Sequence, residues 1–479
     1  LHEVDIDKNK IADMKKRILR SSGNQSVTRR EFISDSVKTA IALSIPTIVP
    51  ASVFGKNAPS NRINVGAIGV GRISRGHDLP GIWKNDFAQV IAVCDLDTKR
   101  AEEGRILVNE YYSRRDGRPF DGVKVYHDYL ELLNNKDIDA VVISTPDHWH
   151  ALIGIAAAKA GKHIYMQKPA SLTIGEGRIV SDVVQKSGVK FQIGSQQRST
   201  EQFRYAAELV RNGRIGQLKT VYVGLPGDPS GNEEKEMPIP KNLNYNMWLG
   251  STPDVYYTEK RVHPQDGYDR PGWLRCEQFG AGMITGWGSH HIDSAHWGMG
   301  MERSGPVEVW GHADFPANGL WDVHGIFKTE ALYANGVKMT VSNEIPNGIK
   351  FEGSEGWIFV SRGDYQVTSS DPSAPNTRAK KLDASDPKII QSVIGPNEFH
   401  FTVSNQHHTN WLEAIRDNKD TIAPVEEAHR SCSACLVHHI AMKLNRKVYW
   451  DPAKEKFRND DEANRMLTRS QRSPYTINA

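Results

Sequence analysis

Positions 284 to 298 read ITGWGSHHIDSAHWG and hold three histidines, one aspartate and two tryptophans. Such a stretch serves metal ligation, proton transfer near neutral pH, or nothing beyond a crowded helix surface. Helix geometry separates these in part. At about 100° per residue, His290, Asp293 and Trp297 fall within about 60° of one another, with His291 about 100° to one side and His296 about 120° to the other. Three convergent histidine ligands are therefore not available from this helix, and a metal would need help from residues such as His407 and His408. No metal is expected. His296 is assigned to the crowded surface, while His290 stays open between proton relay and structure.

A second chemical pattern begins at Arg62. RINVGAIGVGRISRGHDLPGIW is a short β-branched run, a glycine turn and then helical spacing. Gly69 permits a tight turn, and Gly71 lets the backbone approach a pyrophosphate at the helix N-terminus, beside Arg72 and Ile73. Ser74 stands at the third glycine position, so the fingerprint is imperfect. AQVIAVCDLD strengthens it as a second strand ending at Asp95, 26 residues past Gly69. A carboxylate there accepts hydrogen bonds from ribose hydroxyls and repels a 2′-phosphate, favouring NAD over NADP. Arg100, close by, leaves NADP as the second choice.

These residues need elements to hold them. IDAVVISTP, KHIYMQ and VKFQIGS read as further buried strands, separated by helical runs at 150–161 and 174–188. Strands alternating with helices of this length predict a doubly wound parallel sheet with right-handed crossovers. Ligands then sit beyond the carboxyl ends of the strands. That rule singles out three segments: TPDHWH at 145–150, QKPAS at 167–171 and SQQRS at 195–199.

At 479 residues the chain exceeds one ordinary domain. Its 60 basic and 57 acidic residues leave a net charge of +3, which gives no case for nucleic acid or an anionic membrane. Of the four cysteines, Cys432 and Cys435 form a C-x-x-C inside a helical pattern without a second pair at zinc-ribbon spacing, so they read as structural. Near the start, Arg29 and Arg30 form a twin-arginine pair, an apolar stretch runs from Ala40 to Val49, and Ala51 suits a signal-peptidase cut. That order predicts twin-arginine export to the periplasm, with a basic amphipathic helix and a cytoplasmic protein as the alternative. The start is Leu1, from a non-standard codon, or Met14. The apolar run contains Pro46 and is too short to span a bilayer.

Taken together, the glycine turn and the three post-strand segments resemble the glucose–fructose oxidoreductase, inositol dehydrogenase and MocA family, from about Asn61 to about Trp450. The resemblance implies an N-terminal Rossmann domain followed by an α/β domain on a large, open, mainly antiparallel sheet. The chain then divides into an N-terminal extension and linker (1–58), the NAD-binding domain (59–195), a substrate and oligomerisation domain (196–450) and a C-terminal tail (451–479). Strands are expected at GQLKTVYVGL, VEVWGHA, FKTEALYA, VKMTVSNE and GWIFVSRG. Self-association as a dimer or tetramer is implied as well.

The family's catalytic lysine lies in Glu-Lys-Pro, which here is Gln167, Lys168 and Pro169. It polarises the reacting hydroxyl or carbonyl. Gln167 removes a negative neighbour, so Lys168 should titrate lower than in a Glu-Lys-Pro member. Thr145, Pro146, His148 and His150 match the loop beside the nicotinamide. Relatives carry Asp-x-x-x-His on a helix of the second domain; His290 falls at the histidine, but Gly286 replaces the aspartate. Hydride removal from a carbinol carbon needs a base with a pKa near working pH, which suits His290, with Asp293 to orient it or bind a hydroxyl. Gln197 and Arg198 suit sugar hydroxyls, and the faces of Trp149 and Trp287 suit a sugar ring. The expected activity is NAD-dependent hydride transfer at a secondary hydroxyl of a sugar or glycoside, with retained cofactor. The alternative is a glycosidase or lyase that oxidises its sugar transiently. A non-enzymatic binding protein is disfavoured by Lys168 and His290 together.

Overall fold

The structure, a computed structural model, describes residues 62–363 and 380–477. The twin-arginine pair, the apolar run and the linker lie outside the described residues.

Six strands form the first sheet: β1 (Ile63–Ile68), β2 (Ala88–Cys94), β3 (Lys124–Tyr126), β4 (Ala140–Ile143), β5 (His163–Met166) and β6 (Phe191–Ile193). They run parallel in the order β3-β2-β1-β4-β5-β6, the order of dinucleotide-binding sheets. All four residues of β4 are buried, because helices cover both faces of a parallel sheet. The helices carry their own punctuation. Asp97 caps Thr98–Asp116 by accepting from the Lys99 and Arg100 amides, and Thr173 with Glu176 closes a capping box on Ile174–Ser187.

The segment after the glycine turn is not a regular helix. Ser74–Asp78 winds as a π-helix before Leu79–Trp83 resumes α geometry. Asp78 is wholly buried there, and its carboxylate accepts from Ser144 Oγ and Gln167 Nε2, both at 2.7 Å.

The second sheet has nine strands: β7 (Leu218–Gly224), β8 (Pro306–Ala313), β9 (Phe327–Tyr333), β10 (Lys338–Ser342), β11 (Gly348–Gly353), β12 (Trp357–Val360), β13 (Leu382–Ala384), β14 (Val448–Asp451) and β15 (Lys456–Phe457). Their order is β13-β12-β11-β7-β10-β9-β8-β14-β15, and only the β7–β10 pairing is parallel. On β9, Phe327, Thr329, Ala331 and Tyr333 point inward and are buried. Helices Gly288–Met299 and Val425–Leu444 cover that face. The fold is thus the α/β pair of sheets expected from the sequence.

One expectation needs correcting. All 12 residues of Gly288–Met299 are buried. His296 is therefore not on a crowded surface; its Nε2 meets the Tyr333 hydroxyl at 2.8 Å inside the core. Helix His407–Asp417 packs back on the first sheet's domain, its Trp411 and Leu412 sharing a core with Val65, Ile82 and Trp83. The C-terminal segment after 451 packs on the rest of the protein. β15 extends the sheet, the Leu467 carbonyl accepts from the Gly175 amide at 2.8 Å, and Arg469 pairs with Glu176 at 2.9 Å. Cys94, Cys276, Cys432 and Cys435 are buried free thiols. No helix among the described residues is long and apolar enough to cross a membrane.

Candidate functional site

A cleft of about 620 Å³ lies beyond the carboxyl ends of the first sheet's strands and is closed on its other side by the second domain. At one end it is lined by Gly69, Gly71, Arg72, Ile73, Asp95, Thr145 and Pro146. Gly69 has φ +84°, and a Cβ there would stand 2.7 Å from the Ser144 carbonyl oxygen, so no other residue fits. A Cβ on Gly71 would meet only Arg100 Nη1, at 3.6 Å, so the bare backbone faces open cleft. Asp95 is fixed at the end of β2 by accepting from the Val70 amide (2.9 Å) and the Asp97 amide (3.0 Å). Thr145 Oγ1 is buried without a hydrogen-bond partner among the described residues. A tight turn, an uncovered backbone, a carboxylate just past β2 and a free hydroxyl suit a dinucleotide.

The loop-rich stretch after β7 forms a roof over this end. Asn242 Nδ2 donates to Asp97 at 2.7 Å, and His263 meets the same carboxylate at 3.1 Å. Arg100 donates to the Pro264 and Gly267 carbonyls at 2.7 and 3.2 Å and lies 4.6 Å from the Tyr268 ring centre. Met247, Trp248, Arg270 and Trp273 of the roof line the cleft.

At the other end stand Gln167, Lys168, Trp149, Trp287 and His290. The Lys168–Pro169 peptide is cis. Lys168 Nζ donates to the Gly286 carbonyl at 2.6 Å, so the backbone at 286 holds the lysine. Burial pushes the Lys168 ammonium below its ordinary range, opposed by Asp147 and reinforced by Arg270, Arg362 and Arg72. The shift is one of burial among cations. Gln167 itself donates to Asp78. His290 is pushed well below its ordinary value by burial, then by Arg362 and Lys168. Its Nδ1 has no hydrogen-bond partner among the described residues. The imidazole is neutral near pH 7 and a poor place to keep a proton, against the expectation of a pKa near working pH.

Other predicted residues lie elsewhere. Arg198 and Asp293, each 1% exposed, face one another through two hydrogen bonds of 2.7 and 2.8 Å. Arg198 also donates to Glu427 and to the Ile422 carbonyl, and Ser431 donates to Asp293. Neither lines the cleft, so the pair ties helices together instead of reaching for a sugar. Gln197 is buried beneath the site: its amide NH₂ faces Ser294 Oγ and the His290 carbonyl, both at 2.9 Å, and its oxygen accepts from Arg362 Nε at 3.3 Å. His148 Nε2 meets the Trp248 carbonyl at 2.9 Å, and His150 contacts the Pro169 and Thr145 carbonyls. Both histidines brace the loop from outside the cleft lining. Trp149 lines the cleft while donating its indole N–H to the Trp248 carbonyl at 3.0 Å. The face of Trp287 carries the Arg362 guanidinium, 4.6 Å from the ring centre.

Sequence reasoning missed Asp147, Arg270 and Arg362 in the lining. Asp147 sits inside TPDHWH, so its place after β4 was legible. Arg362 closes the expected strand GWIFVSRG but was not singled out, and Arg270 comes from a stretch without periodicity and carried no signal. His77, Asp78 and His408 place ligand-type atoms within 4.8 Å of one another, the one such group among the described residues. Burial would raise the Asp78 carboxyl, but hydrogen bonds from His408 and His77 hold it well below the carboxylate range. With Ser144 and Gln167 also bound, this is a filled hydrogen-bond network, and no histidine of 284–298 belongs to it.

Comparison with known proteins adds the family. Residues 63–195 match the profile of the oxidoreductase family's NAD-binding Rossmann fold, and 229–477 match that of its C-terminal alpha/beta domain. An inositol 2-dehydrogenase of Salmonella typhimurium is 28% identical over 161 residues, 33% of this chain and 45% of the relative. A glycosyl hydrolase family 109 protein of Shewanella sp. is 35% identical over 164 residues, 31% of this chain and 35% of the relative. These matches thus cover less than half of either relative's length. The solved WlbA dehydrogenase of Bordetella pertussis, in complex with NADH and UDP-GlcNAcA, shares the fold at 16% identity, covering 81% of this chain and 99% of that one with a TM-score of 0.56. The chain belongs to the glucose–fructose oxidoreductase, inositol dehydrogenase and MocA family of NAD-binding oxidoreductases.

Proposed function

We propose that this protein moves a hydride between NAD and a secondary hydroxyl carbon of a sugar or glycoside. The observation that carries the reading is Lys168 held by the Gly286 carbonyl beside His290, in the cleft that also contains Asp95 and the glycine turn. Gly69 to Ile73 would hold the pyrophosphate of NAD and Asp95 its ribose, and the cofactor would supply the hydride acceptor. Lys168 donates a hydrogen bond to the reacting oxygen and stabilises negative charge developing there. His290, neutral and with Nδ1 free of protein partners among the described residues, orients the hydroxyl by hydrogen bonding. Trp149 lines the cleft and offers an aromatic surface to the C–H side of a sugar. Arg198 and Asp293 act at a distance by fixing the helix that carries His290.

The roof from 242 to 274 supports slow release of the nucleotide, since Asp97 and Arg100 clasp it. Together with the twin-arginine sequence, it supports export of a folded, nucleotide-loaded enzyme to the periplasm, where free NAD is scarce. A retained cofactor must be regenerated in place, by reducing a second sugar or by reversing the oxidation on the same one. The match to a glycosyl hydrolase family 109 protein supports the second reading, transient oxidation with bond cleavage and no net redox change. Self-association through the outer face of the second sheet is supported by Trp310 and Tyr449, 43% and 47% exposed on neighbouring strands β8 and β14.

The test is to purify the exported protein without added NAD, identify bound nucleotide, and assay neutral sugars, polyols and glycosides. Bound nucleotide with turnover of one of these supports the proposal. Empty protein that turns over only with millimolar NAD would reject retention, and net NADH formation would reject the glycosidase reading.

A further inference from the structure

Buried and half-buried arginines away from the cleft have carboxylate partners. Arg198 pairs with Asp293 and Glu427, Arg178 with Glu426, and Arg469 with Glu176. Arg362 is seated differently. It follows β12 by two residues, is half-buried, and lines the cleft with Lys168, Trp287 and His290. Its Nε donates to the Gln197 side-chain oxygen at 3.3 Å, and its Cζ lies 4.6 Å from the Trp287 ring centre. Gln197 is fixed in turn by donating to Ser294 Oγ and the His290 carbonyl, both at 2.9 Å. One residue before Trp287, the Gly286 carbonyl accepts from Lys168 Nζ at 2.6 Å. Two cations are thus anchored on neighbouring residues by neutral groups: a carbonyl, an amide oxygen and an aromatic face.

Among the described residues neither Lys168 nor Arg362 forms an ion pair, and the two Nη atoms of Arg362 make no hydrogen bond. Asp95, Asp147 and Asp269 also line the cleft, and none of them pairs with either cation. Taking a guanidinium out of bulk water without a counter-charge is costly, and an aromatic face offsets only part of that cost. Burial alone pushes the Arg362 guanidinium down to about 10, with no anion raising it. The counter-charge then comes with the ligand. The pyrophosphate of NAD belongs at the glycine turn, where Arg72 stands, whereas Arg362 stands with Lys168 and His290.

Resting on the oxidoreductase reading above, we propose that the substrate is an acidic sugar, a uronic acid or its glycoside, whose carboxylate is bound by the Arg362 fork while Lys168 holds the reacting hydroxyl. The two terminal N–H edges of a guanidinium match the two oxygens of a carboxylate in one plane. Gln197 at Nε and Trp287 against the face set that plane before a ligand arrives, so little ordering is left for binding to cost. A neutral sugar offers the same donors only hydroxyls, which are weaker partners than an ionised oxygen. A phosphate monoester is the other anion a guanidinium takes. Lys168 is already engaged with the reacting oxygen and the Gly286 carbonyl, so Arg362 alone answers the ligand's charge. A carboxylate brings one negative charge to it, whereas a phosphate monoester brings about two.

The test uses the full-length, nucleotide-loaded protein and matched probes: methyl glucoside with methyl glucuronide, methyl galactoside with methyl galacturonide, and glucose 6-phosphate as the other anion. Titration calorimetry reads binding, and the absorbance of the bound nucleotide reads its reduction. At least one uronide should bind about 10-fold or more tighter than its neutral partner, and tighter than the phosphate. Arg362→Gln should remove that advantage, and Arg362→Lys should keep part of it, because lysine retains the charge without the fork. Uronides that bind no tighter than their neutral partners in either pair, or do not bind, overturn the proposal, as does tightest binding by the phosphate. A folded Arg362→Gln that keeps the preference overturns it too, as does one that weakens the nucleotide and leaves the uronide unchanged. Should Arg362→Gln not fold, an undiminished preference in Arg362→Lys has the same force. If the preference depends on Arg362 but no sugar reduces the nucleotide, the oxidoreductase reading falls and the acid site stands. If neutral glycosides reduce the nucleotide and uronides do not bind, the acid class falls and the oxidoreductase reading stands.

Discussion

Arg198→Met separates a scaffold role from a substrate role at the motif after β6. The guanidinium makes two bonds to Asp293 and one each to Glu427 and the Ile422 carbonyl, and it is 1% exposed. Methionine fills similar volume but strands the Asp293 carboxylate, with only the Ser431 hydroxyl at 2.7 Å to answer it. Removing one partner of a buried ion pair costs about 3–5 kcal/mol. Adding Asp293→Leu removes the stranded charge, so the double variant should be less unstable than the sum of the singles by about 0.5–3 kcal/mol. Reversible urea unfolding measures both numbers, and steady-state kinetics on the folded fraction measures KM. If Arg198→Met unfolds within about 0.5 kcal/mol of the native protein while KM rises, the side chain meets substrate and the scaffold reasoning is wrong.

Lys168→Ala and His290→Ala should each lose at least about 100-fold in turnover while binding NAD normally by titration calorimetry; near-native turnover removes that residue from the mechanism. Asp95→Ala should weaken NAD much more than NADP, and equal losses would mean that Asp95 is not at the ribose. Acid should destabilise the fold through buried imidazoles. Burial pushes His148, His291 and His407 each down to about 3, so the folded state refuses protons that the unfolded chain binds below about 6.5. Their contribution is complete above pH ~6.5 and is lost as pH falls toward 3, at up to about 1.4 kcal/mol per pH unit for each. A denaturation midpoint that stays flat from pH 7 to 4 would contradict this.

Strands β1, β2, β4, β5 and β6 were legible because parallel strands buried on both faces leave continuous apolar runs. β3 was not, since Lys-Val-Tyr at a sheet edge is too short to show a period. The π-winding at Ser74–Asp78 had no pattern signal either, because it goes with what Asp78 bonds to across the sheet. The cleft's two ends were readable from position, as residues that follow strands must sit near the ligand. Which way a side chain turns was not. Arg198 and Asp293 have the chemistry of sugar-binding forks and became each other's partners, a choice made by packing over 95 residues of intervening chain. Lys168 was found by its motif, whereas Arg362 and Arg270 arrive on irregular loops and Asp147 was passed over for the histidines beside it.

The central claim is hydride transfer at Lys168 between a sugar carbon and NAD in this cleft. Incubating nucleotide-loaded protein with a panel of perdeuterated sugars, polyols and glycosides, then analysing the bound nucleotide by mass spectrometry, tests it even if the cofactor never leaves. The account predicts deuterium on the nicotinamide with at least one substrate, and none with Lys168→Ala. Conversion of a substrate by the native protein with no deuterium ever reaching the nucleotide would contradict it.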